Sequence, residues 1–254
     1  MANQMNPRST KRKKTLRVIL LVFLAALVLC SGFAAVYVND YYHAEGTAIE
    51  VMATGDEIEI SRWEDDTIVF RPQNPTVGLI FYPGGKVEHT AYAPLMRACA
   101  ERGILCVLVK MPCNLAVLDM NAADGVTEQF PQIERWYIGG HSLGGAMAAS
   151  YASKHSDTLD GLVLLAAYST ASLTDTNLAV LSVYGSEDGV LNREKYEKYR
   201  GNLPENTEES ILQGGCHAYF GSYGAQDGDG IPTITNEEQI RITADEIVQW
   251  IDQY

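Results

Sequence analysis

The sequence predicts an α/β domain with a mostly parallel central sheet and helices on both faces, preceded by one apolar N-terminal helix. Three observations carry this. Val18 to Val38 is a run of 21 residues without a charge. From Val77 onward, short apolar runs alternate with helical stretches, the pattern of strands buried on both faces. Between them, Arg135 to Ala149 (RWYIGGHSLGGAMAA) reads as an apolar strand, a glycine-flanked serine and a small-residue helix. The expected division is a basic segment 1–17, a spanning helix 18–38, a linker 39–47 and one large domain 48–254.

At about 1.5 Å per residue, Val18–Val38 spans roughly 30 Å, the thickness of a hydrocarbon core. Arg8, Lys11, Arg12, Lys13, Lys14 and Arg17 precede it, and no acid occurs before Asp40. That asymmetry predicts a cytoplasmic N-terminus, an uncleaved single-pass anchor and a domain outside the membrane. The competing reading is a signal peptide cut near Gly32-Phe33-Ala34, which would release the domain. Such peptides have an apolar region of about 7–15 residues, shorter than this one. Leu29 stands before Cys30 where a lipoprotein signal needs a small residue, which argues against lipidation.

The chain carries 19 basic and 32 acidic residues, a formal charge of −13. Six of the basic residues precede Val18, leaving thirteen against 32 acids and a formal −19 beyond it. Such a surface repels phosphate backbones, so nucleic-acid binding is excluded, and its ordinary use is solubility. No obligate protein partner is evident. The five cysteines match no zinc spacing. Cys99 and Cys106 read as small core residues, whereas Cys113 and Cys216 fall in loops and their pairing is open.

In chain order, Asn39–Thr47 reads as a juxtamembrane linker. Glu57–Arg62 and Thr67–Arg71 alternate polar and apolar residues around Glu64-Asp65-Asp66, the signature of an antiparallel hairpin. Val77–Tyr82 is the first buried strand and ends in Pro83-Gly84-Gly85. Ala91–Arg102 follows as a helix, with Pro94 in its first turn and Gly103 past its end. Ile104–Val109 is a strand, and Asn114–Phe130 reads as mainly helical with a break near Gly125. The glycine-flanked serine comes next, with a helix over Leu143–His155. Strands follow at Leu159–Leu165 and Leu178–Tyr184; the short stretch between them leaves no room for an inserted helical cap. Asn192 caps a short helix with Tyr196 and Tyr199 on one face, and Glu209–Leu212 is the last strand. Ile240, Ala244, Ile247 and Ile251 make a helical stripe behind a Thr235-x-x-Glu238 capping box.

Gly140-x-Ser142-x-Gly144 matches G-x-S-x-G, a sharp strand-to-helix turn that lifts a serine hydroxyl above a sheet. A Cβ two residues before or after that serine would collide with neighbouring backbone. A serine hydroxyl is a weak nucleophile near neutral pH and needs a base, itself oriented by a carboxylate. His217 follows the last strand in a glycine-rich loop, a place from which a base reaches the serine. His141 lies inside the turn and is expected to point away from Ser142. Asp188 lies just past the Leu178–Tyr184 strand and is the expected acid, with Glu187 its rival. The developing oxyanion needs aimed donors: the Leu143 N–H is one, and Gly84 or Gly85 offers the other. Those glycines lack the spacing of a phosphate-binding loop. Asp227-Gly228-Asp229-Gly230 opens like a calcium loop but lacks the later ligands, and reads as a polar loop near His217. Cys216, adjacent to His217, has no further support as a nucleophile.

The order Ser142…Asp188…His217, the serine turn, and Pro83-Gly84-Gly85 backed by Ala91-Tyr92-Ala93-Pro94 resemble the α/β-hydrolase superfamily, in particular its small, capless, dienelactone-hydrolase-like members. The resemblance runs from about Thr67 to the C-terminus. It implies Ser142 as nucleophile, His217 as general base, Asp188 as its orienter, and Leu143 with Gly84 or Gly85 as the oxyanion hole. It also implies an acyl-enzyme and no metal or cofactor. Tyr82-Pro83 stands where many members carry His-Gly. The expected function is an anchored, external serine hydrolase acting on an ester, less readily an amide, of a small molecule or the cell envelope. The alternative is a hydrolase-fold module that binds without catalysing.

Overall fold

The computed structural model describes residues 7–52 and 57–254. The chain divides into two bodies, one ending at Tyr41 and the other running from Tyr42 to Tyr254. The first is a single helix, α1 (Pro7–Asn39). Within it Ile19–Asn39 is long and apolar enough to cross a membrane, a test that an N-terminal signal sequence also passes. Leu20, Phe23, Leu29 and Phe33 are all exposed along it. Of the basic segment expected over 1–17, residues 1–6 lie outside the described residues, as do the side chains of 7–15.

The second body begins with a short helix, α2 (Gly46–Glu50), then β1 (Glu59–Arg62), β2 (Ile68–Arg71) and β3 (Val77–Tyr82). Next come α3 (Ala93–Ala100), β4 (Ile104–Leu108), β5 (Arg135–His141), α4 (Leu143–Ala152) and β6 (Gly161–Leu165). The chain ends with β7 (Ala179–Gly185), α5 (Arg193–Tyr199), β8 (Thr207–Leu212) and α6 (Asn236–Ile251). Residues from Tyr42 are already bonded into this body. The Tyr42 N–H donates to the Lys86 carbonyl and the Glu45 N–H to the Ser222 carbonyl.

Eight strands form one sheet in the order β1-β2-β4-β3-β5-β6-β7-β8. The β1–β2 hairpin pairs antiparallel and adds to β4 antiparallel, while β4 through β8 run parallel. Its turn closes because Asp66 takes a left-handed φ of 67° and Asp65 Oδ1 accepts the Thr67 N–H. Alternate residues of each strand enter opposite cores, as the two-residue period of a strand requires. Leu79, Phe81, Cys106 and Val163 join α3 and α6 in one, with Leu95, Met96, Ile247 and Trp250. Ile80, Tyr82, Val107 and Leu162 join α4 in the other, with Ala148, Ala149 and Ala152. The helices therefore cover both faces, as expected. Asn192 caps α5 as expected, its Oδ1 accepting the Lys195 N–H, and of the expected capping box the Thr235 half is present, its Oγ1 accepting the Glu238 N–H. Cys99 and Cys106 are buried in the core, and all five cysteines are free thiols.

Residues 112–130 differ from the expected helix. They form three single turns, Pro112–Asn114, Ala116–Leu118 and Thr127–Gln129. Cys113 and Asn114 take left-handed φ values of 54° and 55°, which keeps a helix from starting there, and Gly125 at 75° makes the expected break. The segment is held instead by Tyr82, whose hydroxyl donates to the Met120 carbonyl and accepts the Ala123 N–H.

Candidate active site

The expected site residues all follow the carboxyl ends of parallel strands, β3, β5, β7 and β8, where connections can converge without interrupting the ladder. Ser142 sits between β5 and α4 at φ 52° and ψ −119°, a strained conformation for a residue with a side chain. The glycines permit it. A Cβ on Gly140 would stand 2.6 Å from the Gly144 carbonyl carbon, and one on Gly144 would strike the carbonyl oxygens of Tyr82 and Pro83. Steric relief therefore lets the turn press against the end of β3. Leu143 opens α4, so its N–H points from a helix N-terminus, where anions are favoured.

Asp188 lies in the turn after β7. Its Oδ1 accepts the Val190 and Leu191 N–H groups at 2.9 and 2.8 Å, which fixes the carboxylate. Its Oδ2 meets His217 Nδ1 at 2.9 Å, with both side chains almost wholly out of solvent. Glu187 is exposed, and its carboxylate accepts from the neighbouring Ser186 hydroxyl. Geometry thus joins His217 to Asp188. The other ring nitrogen, His217 Nε2, is buried without a hydrogen-bond partner. His217 lines a cleft of about 250 Å³ together with Ser142, Leu143, Ala146, Ala166, Ala167, Tyr168, Val190, Leu191 and Asn192. No hydrogen bond joins Ser142 and His217 among the described residues; such contacts tighten when substrate is bound.

The two glycines of the β3 loop have different roles. The Gly84 N–H donates to Tyr92 Oη at 3.0 Å, and a Cβ there would crowd that hydroxyl and His141 Nδ1. Gly85 faces Leu143: a Cβ on it would lie 2.8 Å from Leu143 Cδ2. Its N–H has no acceptor among the described residues.

Sequence reasoning missed what lies beneath. His141 does not line the cleft, as expected, but it packs against the base, its ring centroid 4.4 Å from that of His217. Its Nδ1 is 2.7 Å from Tyr92 Oη. Burial, reinforced by the neighbouring His217, pushes the His141 pKa well below the usual imidazole range, so this ring is neutral. Burial pushes the Tyr92 pKa up, which keeps its phenol protonated. The phenol accepts from Gly84, so its proton is available to His141 Nδ1. Tyr92 was visible only as part of Ala91–Pro94, and nothing in the sequence joined it to His141. Cys216 is buried, and that burial raises its pKa to about 12, which leaves an unreactive thiol.

A sequence profile described as the alpha/beta hydrolase family matches residues 78–241. The chain belongs to that family. The alpha/beta hydrolase match runs from β3 into α6 and so includes every residue of the site. Among solved structures, dienelactone hydrolase from Anabaena variabilis superposes with a TM-score of 0.58 at 12% identity, covering 78% of this chain and 99% of that one. Est1E from Butyrivibrio proteoclasticus gives 0.55 at 12% identity, covering 78% and 100%. At such identities the likeness is one of fold. Comparison with curated proteins returned no match. Membership in a hydrolase family with these neighbours supports hydrolysis of a small molecule as the chemistry, and leaves the nucleophile and the bond to be argued from the site.

Proposed function

We propose that this alpha/beta hydrolase is a serine hydrolase cleaving carboxylic esters, with Ser142 as nucleophile, His217 as general base and Asp188 as its orienter. The observation that carries this reading is the Asp188–His217 bond, which leaves Nε2 unpartnered on a histidine that lines one cleft with Ser142. Asp188 accepts a proton-bearing Nδ1, so Nε2 carries a lone pair and can take the serine proton. Ser142 Oγ then attacks the ester carbon, and the carbonyl becomes an oxyanion. The Leu143 and Gly85 N–H groups are the proposed donors to it; Gly84 is excluded because its N–H already serves Tyr92. Collapse expels the alcohol, protonated by the imidazolium, and leaves an acyl-serine. Water, deprotonated by the same nitrogen, releases the acid.

The cleft narrows the substrate. Small apolar side chains, Ala146, Ala166 and Ala167, line it with the serine, and among the described residues no lysine or arginine does. A compact, uncharged acyl group fits better than an anionic one. We further propose that α1 stays uncleaved and holds the domain on the outer side of the membrane, so that substrates are external or envelope esters.

Activity on p-nitrophenyl esters tests the assignment. Ser142→Ala and His217→Ala should each lower kcat by roughly 10³-fold or more, and the double variant should be little worse, because such groups act as a unit. Asp188→Asn should cost about 10²–10⁴-fold through the wrong imidazole tautomer. Glu187→Gln should stay within about twofold, as expected of an exposed side chain. A larger loss from Glu187→Gln than from Asp188→Asn contradicts the choice of acid. A folded wild-type protein that cleaves no ester favours a binding module instead.

A further inference from the structure

We propose that Asp229 is a positioning residue that locks the turn carrying Asp188 to the turn carrying His217. This rests on the triad reading above. Asp229 Oδ1 accepts the N–H groups of Gly189 at 3.1 Å, His217 at 3.2 Å and Gly230 at 2.9 Å. Its Oδ2 accepts the Ala218 N–H at 2.8 Å. One carboxylate thus grips the residue after the acid, the base itself, and the residue after the base.

The surroundings show how closely these turns are fitted. A Cβ on Gly189 would lie 2.6 Å from the Gly228 carbonyl oxygen, and one on Gly230 would strike the Glu187 carbonyl. Residues 228–230 are therefore packed directly on the acid's turn. Burial pushes the Asp229 pKa up, but the N–H groups of Ala218, Gly189, His217 and Gly230 together outweigh it and hold the carboxyl below the usual carboxylate range. The group is an anion at any working pH.

Other bonds between the two turns lie on the strand side. The Glu187 N–H donates to the Gly215 carbonyl, the Ser186 N–H to the Leu212 carbonyl, and the Gly214 N–H to Ser186 Oγ. These register β7 against β8. Beyond them, among the described residues, the hydrogen bonds that connect the turns are the Asp188–His217 bond and those of Asp229, while Gly185 packs against Gly215 and Gln239 of α6 holds Cys216 at its N–H and carbonyl. Asp188 is already pinned by Val190 and Leu191, so the aim of the imidazole depends on where residues 217 and 218 stand relative to 189. Asp229 is the side chain that bonds across that gap. A shift of about 1 Å in a reacting group costs on the order of 10²-fold in rate.

The test compares Asp229→Asn and Asp229→Ala with Asp160→Ala, which removes the acceptor of the Trp136 N–H where β5 and β6 begin, at the end of the sheet opposite this contact. Each is measured for kcat and KM on a p-nitrophenyl ester, with active sites counted by fluorophosphonate labelling to completion, and for thermal midpoint. Asparagine is isosteric with aspartate, and it sets an amide against a backbone donor at one position at least. Asp229→Asn should lower kcat per labelled site by about 10–100-fold with KM within about twofold, and Asp229→Ala by at least as much. Asp160→Ala should lower the midpoint and leave kcat per site unchanged. If Asp229→Asn keeps wild-type kcat per site and only its midpoint falls, Asp229 is a structural residue and the proposal is overturned. A wild-type chain that neither labels nor turns over overturns the triad reading instead, a result distinct from an active wild type with an unaffected Asp229→Asn variant.

Discussion

The imidazole of His217 sits between partners of opposite character. On one edge the Asp188 carboxylate bonds Nδ1; against one face lies a second, buried imidazole that must stay uncharged. His141 sets a pH dependence. Its folded-state pKa is depressed below 6.5, mainly by burial and then by His217. Above about pH 6.5 both folded and unfolded chains hold it neutral, and it costs nothing. As pH falls below that value the unfolded chain binds a proton that the folded one refuses, so stability is lost by up to about 1.4 kcal/mol per pH unit. His89, lowered by burial, acts with the same sign. Glu246, raised by burial, acts with the opposite one: its contribution is present at low pH and lost as pH rises through its folded value. The thermal midpoint should therefore fall between pH 7.5 and 5.5, and His141→Asn should flatten that slope. An equal slope in the variant would place the acid sensitivity elsewhere.

At the scale of elements, the serine turn depends on backbone contact that excludes side chains. Gly144→Ala puts a methyl group against two carbonyl oxygens, so denaturant unfolding should show a loss of about 1–3 kcal/mol or more. Gly201→Ala, with nothing within 4 Å of the added carbon, should change stability by less than about 0.5 kcal/mol. Equal effects would refute the steric account. This turn was legible in the sequence because its requirement is local: a strand, two glycines spaced around a serine, and a small-residue helix. The β1–β2 hairpin was legible from its two-residue period. Residues 112–130 misled because buried Ala116, Ala123, Val126 and Phe130 recur at helical spacing. What holds them is the hydroxyl of Tyr82, some forty residues earlier, which no local pattern reports. Asp229 was hidden for a related reason. Its partners are backbone N–H groups in two other turns, and backbone donors carry no sequence signature.

Over the whole molecule, the chain order of Ser142, Asp188 and His217 becomes a spatial cluster because β5, β7 and β8 are parallel in one sheet and deliver their ends to the same edge. That much follows from an alternation of strands and helices, and was legible. The proposed location follows from charge: six basic residues precede Val18, and no lysine or arginine lies between Val38 and Arg62. Protease added to intact cells should degrade the domain and spare a tag on Met1. Digestion of the domain only after lysis would reverse the orientation. Recovery of the domain in the medium with a new N-terminus near Ala35 would mean a cleaved signal. The central claim, a nucleophilic serine served by a fixed base, is tested most directly by intact mass after treatment with a fluorophosphonate. The account predicts one adduct per chain, mapped to Ser142 and absent from Ser142→Ala; a folded wild-type protein that gains no mass, or gains it at another residue, would contradict it.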